Sequence, residues 1–151
     1  MAGAKSPYRW VSIDPGDRHV GFATWQEDEC LHAIELTPDQ CIKALENLAS
    51  AGVLEAVVYE KFALYAWNEK SMAGNEFKTC QLIGIIRYIS SKYDIPCYGQ
   101  FASEHKRIYR MGWFKALTPQ EQRQMPWWGN GGHAKDAWVV GMWFVRQTQK
   151  V

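Results

Sequence analysis

Three β-like runs come before the first helix signal in this chain, and that order excludes an all-parallel sheet. Val11 to Ile13 is a short apolar strand, begun as early as Tyr8. His19 to Gln26 and Glu29 to Leu36 are two further runs, and only Glu27-Asp28 separates them, which suits a tight antiparallel hairpin. Parallel neighbours would need a crossover of a dozen residues or more. Thr37-Pro38-Asp39-Gln40 then reads as a helix start: Thr37 can cap, Pro38 suits the first helical position, and Gln40 completes a capping box. Cys41, Leu45, Leu48 and Ala49 recur on one face of that helix, and Gly52 ends it. Leu54 to Tyr59, with its paired valines, is a buried strand ending at Glu60. The spacing predicts a long helix from about Ser71 to Lys92 and a fifth strand over Pro96 to Phe101. It further predicts a short basic helix, capped by Ser103 and ending near Gly112. A second capping box lies at Thr118-Pro119-Gln120-Glu121, and a last helix runs from Gly132-His133 to about Gln149. A hairpin meander feeding βαβ crossovers implies the α/β class, a mixed sheet with helices on both faces, in one domain over 1–151.

Composition narrows the function classes. The 151 residues include eight tryptophans, seven tyrosines and six phenylalanines, and the formal charge is only +1. Enough apolar surface exists for a core, and no global field draws in a polyanion. Any nucleic-acid face must come from local clustering. Cys30, Cys41, Cys80 and Cys97 form no CxxC pair, so neither a zinc site nor a disulfide framework is indicated. The N-terminal stretch lacks an apolar signal core, and the longest apolar run, Ala137 to Val145, is too short to span a bilayer. The expectation is a soluble cytoplasmic protein with reduced cysteines.

The acids fall at the ends of elements. Asp14 closes the first strand, directly before Pro15-Gly16, and Glu60 closes the fourth. If the crossover helix joins these two strands in the usual right-handed way, they are parallel neighbours. Their C-terminal ends are then where open α/β sheets place ligands. His133 and Asp136 lie three residues apart near the start of the last helix, on one face. Taken singly, Asp136 is an ordinary first-turn acid, Glu60 a solvated strand end and Asp14 a turn residue. Together, three carboxylates and a histidine form a donor set for Mg²⁺ or Mn²⁺. Two such ions about 4 Å apart can clamp the attacking and leaving oxygens of a phosphodiester.

With these residues in view, the chain resembles the RuvC family of Holliday-junction resolvases, within the RNase H-like nucleases. The resemblance is carried by IDPGDRHVGFA at Ile13 to Ala23, VVYEKF at Val57 to Phe62 and HAKDA at His133 to Ala137. TCQLIGII at Thr79 to Ile86 and FASEHKR at Phe101 to Arg107 match more weakly. It implies an RNase H-like fold with strand order 3-2-1-4-5, strand 2 antiparallel. It also implies a homodimer whose two active sites cut opposing strands of a four-way junction. Asp14, Glu60, His133 and Asp136 match the family's metal positions, and Lys106 its helix-borne lysine. In that role Lys106 neutralises charge on the scissile phosphate. His105, Arg107, Arg110 and Lys115 extend the basic cluster toward DNA.

The loop after Glu60, KFALYAWNEKSMAGNEFK, crowds Phe62, Leu64, Tyr65 and Trp67 among charges. In the family an aromatic just after this glutamate helps open base pairs at the junction centre. Phe62 or Tyr65 fits that part, and packing against the sheet or a partner is the competing reading. Gly84 within LIGII makes the helix after Ser71 a candidate dimer seam. The chain departs from the family at MGWFKALTPQEQRQMPWWGNGG, where a glycine- and lysine-containing segment is expected. Core or partner packing is the favoured reading for Trp127 and Trp128. The compact form suggests a phage version. The alternatives are a flap, fork or RNA–DNA hybrid nuclease of the same fold, a non-catalytic branched-DNA-binding protein, or an actin-like ATPase. The last lacks its phosphate loops here.

Overall fold

In the computed structural model, which describes residues 7–62 and 78–149, five strands form one sheet. They are β1 (Arg9–Asp14), β2 (Val20–Gln26), β3 (Glu29–Leu36), β4 (Ala56–Glu60) and β5 (Cys97–Gln100). The helices are α1 (Pro38–Ser50), α2 (Lys78–Lys92), α3 (Ala102–His105), α4 (Gly112–Lys115), α5 (Pro119–Arg123) and α6 (Gly132–Thr148), with a 3₁₀ turn over Lys106–Arg110. The strand order is 3-2-1-4-5. β2 is antiparallel to both β1 and β3, while β1, β4 and β5 run parallel. This is the mixed α/β sheet expected from the element order.

Local chemistry explains the starts and turns. The β2–β3 hairpin closes with Glu27 in the left-handed region, at φ 52°, the conformation that matches the twist of paired strands. Both bonds of the Thr37–Gln40 capping box form, and Pro38 occupies the first turn of α1. The Thr118–Glu121 box at α5 forms in the same way. Two expectations are corrected. Ser103 does not cap α3: Phe101 takes that position and supplies no side-chain bond. The basic helix also does not run unbroken to Gly112, since it tightens into the 3₁₀ turn after His105 and a new helix starts at Gly112. Residues 71–77 of the expected long helix lie outside the described residues, and α2 is seen from Lys78.

Period-two alternation divides the core. Val11, Ile13, Val57 and Tyr59 face one side, where α1 brings Cys41, Leu45 and Ala49 and α2 brings Leu82, Ile86 and Ile89. Trp10, Trp25, Ala56 and Val58 face the other, where α6 brings Ala134, Ala137, Trp138, Val139 and Val140. α6 sits very close to the sheet. A Cβ on Gly21 would lie 1.9 Å from the carbonyl oxygen of His133, and one on Gly141 would lie 2.2 Å from the Trp25 ring. Ser12 Oγ donates to the Ala137 carbonyl at 2.7 Å and accepts from Trp25 Nε1 at 2.8 Å, so both buried polar groups are satisfied. Among the described residues no helix is long and apolar enough to cross a membrane, and all four cysteines are free.

Candidate metal centre

The same alternation that places Trp10 and Ser12 under α6 sends Asp14 to that side, and β4 sends Glu60 there after Ala56 and Val58. Parallel pairing of Ile13 with Tyr59 brings the two acids next to one another at the strand ends. Asp14 is 6% exposed. Pro15-Gly16 turns the chain away at once, and a Cβ on Gly16 would lie 2.2 Å from the His19 carbonyl oxygen, so only glycine fits the turn.

α6 supplies the other half. His133 Nδ1 stands 3.0 Å from Asp14 Oδ2. One ligand atom each from Asp14, His133 and Asp136 lies within 4.8 Å of the others. Glu60 joins through a hydrogen bond with Asp14. Asp14, His133 and Asp136 therefore sit together, with Glu60 beside Asp14. Burial pushes the Asp14 carboxyl up to about 6 and that of Glu60 up to about 8. Burial disfavours the charged form of both carboxyls, and the neighbouring Asp14 charge raises Glu60 further.

Four supporting groups were not singled out as site residues in the sequence. The first is Glu35 of β3, whose Oε1 accepts the backbone N–H of His133 at 2.9 Å. α6 begins at Gly131, with φ 98° and no side-chain cap of its own, so Glu35 takes over that duty from across the sheet. A Cβ on Gly131 would strike the Glu35 carboxylate at 2.3 to 2.6 Å. The second is Tyr109, whose hydroxyl donates to Asp136 Oδ1. Burial, then the bond to Asp136, raises its phenol pKa, so it remains a donor. The third is His19, whose ring stacks on that of His133 at 5.9 Å. The fourth is Lys135, whose ammonium lies over the rings of Trp127, Phe114 and Tyr109 at 4.7, 5.3 and 5.6 Å.

The basic residues divide. Lys106 is exposed, and its charge lowers the pKa of both Asp14 and Glu60, which places it beside the acids. Arg107 is exposed and stands 5.8 Å from the Trp143 ring, and Arg110 and Lys115 are exposed as well. His105 does not fit the surface role expected of it. Its side chain is fully buried, with Nε2 3.7 Å from Glu60 Oε1. Burial lowers its pKa and keeps it neutral, so this approach is not an ion pair. A residue sealed from solvent cannot reach a DNA phosphate, and the phase of α3 turns it inward. Phe62 is half-buried just past β4, and Tyr65 lies outside the described residues. Trp127 is core, packed on Trp138 at 6.2 Å, while Trp128 is 46% exposed.

The donor set fits a hard divalent cation. Octahedral oxygen and nitrogen ligands at about 2.1 Å from an ion stand roughly 3 to 4 Å apart, and small closing movements of the Asp14–His133–Asp136 group reach that spacing. Asp14 and Glu60 are buried acids with raised pKa values, so a cation there would offset the cost of ionising them.

No protein-family profile matches the chain, and no curated protein matches it. Solved structures do. A Thermus thermophilus RuvC in complex with a Holliday junction substrate superimposes with a TM-score of 0.67 at 16% identity, covering 93% of this chain and 96% of that one. A second T. thermophilus RuvC structure gives 0.57 at 16% identity, covering 92% and 96%. This chain therefore has the RuvC, RNase H-like fold over nearly its whole length. The resemblance carried by the three motifs holds at the level of the fold.

Proposed function

We propose that this chain is a divalent-cation-dependent endonuclease that resolves four-way DNA junctions by paired, symmetric nicks. It would act as a single-domain protomer of a homodimer, with two Mg²⁺ or Mn²⁺ ions per site. One observation carries the reading. Donor atoms from Asp14, His133 and Asp136 converge within 4.8 Å at the sheet end, with Glu60 bonded to Asp14, on a fold shared with a junction-bound RuvC.

Asp14, Glu60, His133 and Asp136 would hold the cations. When bound, these supply Lewis acidity for phosphodiester hydrolysis, lowering the pKa of water and neutralising charge on the departing 3′ oxygen. The remaining work belongs to the chain. The strand-end position of Asp14 fixes one shared ligand rigidly, and Tyr109 orients Asp136. Lys106 meets the scissile phosphate and stabilises charge that grows during attack. Arg107, Arg110 and Lys115 contact neighbouring phosphates, a mode of binding that weakens steeply with salt. Phe62 or Tyr65, which follow Glu60 in the sequence, would wedge into the junction centre.

The outward face of α2 suits the second copy. Among the described residues nothing lies within 4 Å of a Cβ on Gly84, and Ile85 and Tyr88 beside it are exposed. A two-fold axis there would give two equivalent sites, hence symmetric cuts. The test is a strand-by-strand cleavage map on a synthetic mobile four-way junction, with Mg²⁺ and with Mn²⁺, against flap and RNA–DNA hybrid controls. Paired cuts at symmetric positions, each with a 5′ phosphate, are expected. Preferred cutting of the flap or hybrid would replace the junction with that substrate, and no cutting of any of them would overturn the nuclease reading.

A further inference from the structure

His105 is an expensive residue to bury where it is. Its side chain is fully buried, and among the described residues neither ring nitrogen has a hydrogen-bond partner. Each orphaned polar atom away from water is destabilising, and an aliphatic side chain in its place would leave no such atom. Ile108, three residues on, is equally buried and shows that the position is compatible with an apolar core. The imidazole faces Glu60, and its Nε2 stops 3.7 Å from Oε1, beyond hydrogen-bond length. Meanwhile Glu60 is also engaged with Asp14. The orphaned ring and the acid paired with a second acid are thus one unfinished arrangement.

A bound cation would finish it. With a cation held by the strand-end acids, a carboxylate can ligate through one oxygen and accept a hydrogen bond at the other. Glu60 then has one oxygen for the ion and one to spare. Closing the gap to His105 needs a movement of roughly 0.8 Å. We propose that His105 is a positioning residue for Glu60: its ring N–H donates to the spare carboxylate oxygen in the loaded site, which turns the other oxygen toward the cation. Hydrogen bonding behind a ligand of this kind sets its orientation and raises metal affinity. The inference rests on the metal centre proposed above and deepens it.

The probe is Mn²⁺ binding by titration calorimetry at fixed pH, with the melting temperature of the metal-free protein as a second reading. His105→Leu should bind Mn²⁺ about 10- to 100-fold more weakly, while its metal-free melting temperature stays level or rises. His105→Gln, which keeps a donor, should recover affinity to within a few-fold of the wild type. Wild-type affinity in the Leu variant overturns the proposal and leaves the metal centre standing. If the Leu variant does not fold, the Gln variant decides: near-normal affinity supports the donor role, and a loss as large as about 10-fold overturns it. Absence of Mn²⁺ binding in the wild type removes both the centre and this role.

Discussion

On its α1–α2 side the sheet meets Cys41, Leu45, Ala49, Leu82, Ile86 and Ile89, an aliphatic layer in which Tyr59 and Phe22 are the sheet's own aromatic contributions. On its α6 side it meets tryptophans, alanines and glycine-assisted backbone contacts, with Ser12, Trp25 and Gln100 bonded within the layer or to α6. The first face is held by area removed from water, which is non-directional and tolerates exchange of one aliphatic for another. The second is held by close approach at Gly21 and Gly141 and by hydrogen bonds that work at one geometry. The difference matches their tasks. The α1–α2 face needs only to be full, whereas the α6 face must keep His133 and Asp136 in register with Asp14 and Glu60.

The comparison is tested most severely by one substitution on each face. Asp14→Asn should lower cleavage by at least about 10³-fold, the scale of losing a central transition-state contact. It should keep junction binding equal or tighter, because one charge repelling phosphate is gone. The metal-free fold should be unharmed. Leu45→Ala should do the reverse. Deleting a fully buried leucine typically costs about 2–5 kcal/mol of stability, and the cleavage rate of the molecules that remain folded should not change. Cleavage assays paired with thermal melts check both, and an Asp14→Asn protein that cuts at the wild-type rate would dissolve the distinction between the faces.

A finer substitution separates the site from its supports. Tyr109→Phe removes the donor to Asp136 and leaves the ring in place against Phe114. Cleavage should fall about 10-fold, near the value of one hydrogen bond to a charged group, with a melting temperature close to the wild type. A Tyr109→Phe enzyme of full activity would show that α6 alone orients Asp136.

The contrast between the faces also explains what could be read from the sequence. The α1–α2 face announces itself in Cys41, Leu45 and Ala49, because a helix writes its buried stripe at fixed local spacing. The mixed sheet was legible in the order of the elements, while the strand order 3-2-1-4-5 was implied by the family resemblance. Asp14, Glu60, His133 and Asp136 could be singled out because the first two end apolar runs and the last two open one. The supports were not legible. Glu35 caps a helix 98 residues further on, and Tyr109 bonds an acid 27 residues away. Neither distance leaves a periodic trace. His105 was misplaced because a histidine amid lysine and arginine reads as part of a basic surface. The phase of a four-residue helix, which turns it inward, is set by tertiary contacts.

The smallest effect, and the one that ties the two faces together, is the pH dependence of the metal-free protein. Glu60 has its folded-state pKa raised to about 8 by burial and by Asp14, so the native state binds a proton more tightly than the unfolded chain does. Its contribution to stability is complete below the ordinary carboxylate range and is lost as pH rises through about 8. Asp14, raised to about 6, loses its part earlier, and His105, lowered by burial, acts in the opposite direction at acid pH. Between pH 7 and 9 the Glu60 loss stands alone among the three. A pKa near 8 gives about 1.4 kcal/mol over those two units, or roughly 2–5 °C in melting temperature for a chain of this size. Melts in chelator should show that fall, and saturating Mg²⁺ should reverse it, raising the melting temperature more at pH 8.5 than at pH 6. Asp14→Asn should make the slope shallower, since the contribution of Asp14 is gone but the burial of Glu60 remains, while Leu45→Ala should lower the whole curve without changing its shape. A slope shared by both variants would mean that Asp14 has no part in the alkaline loss.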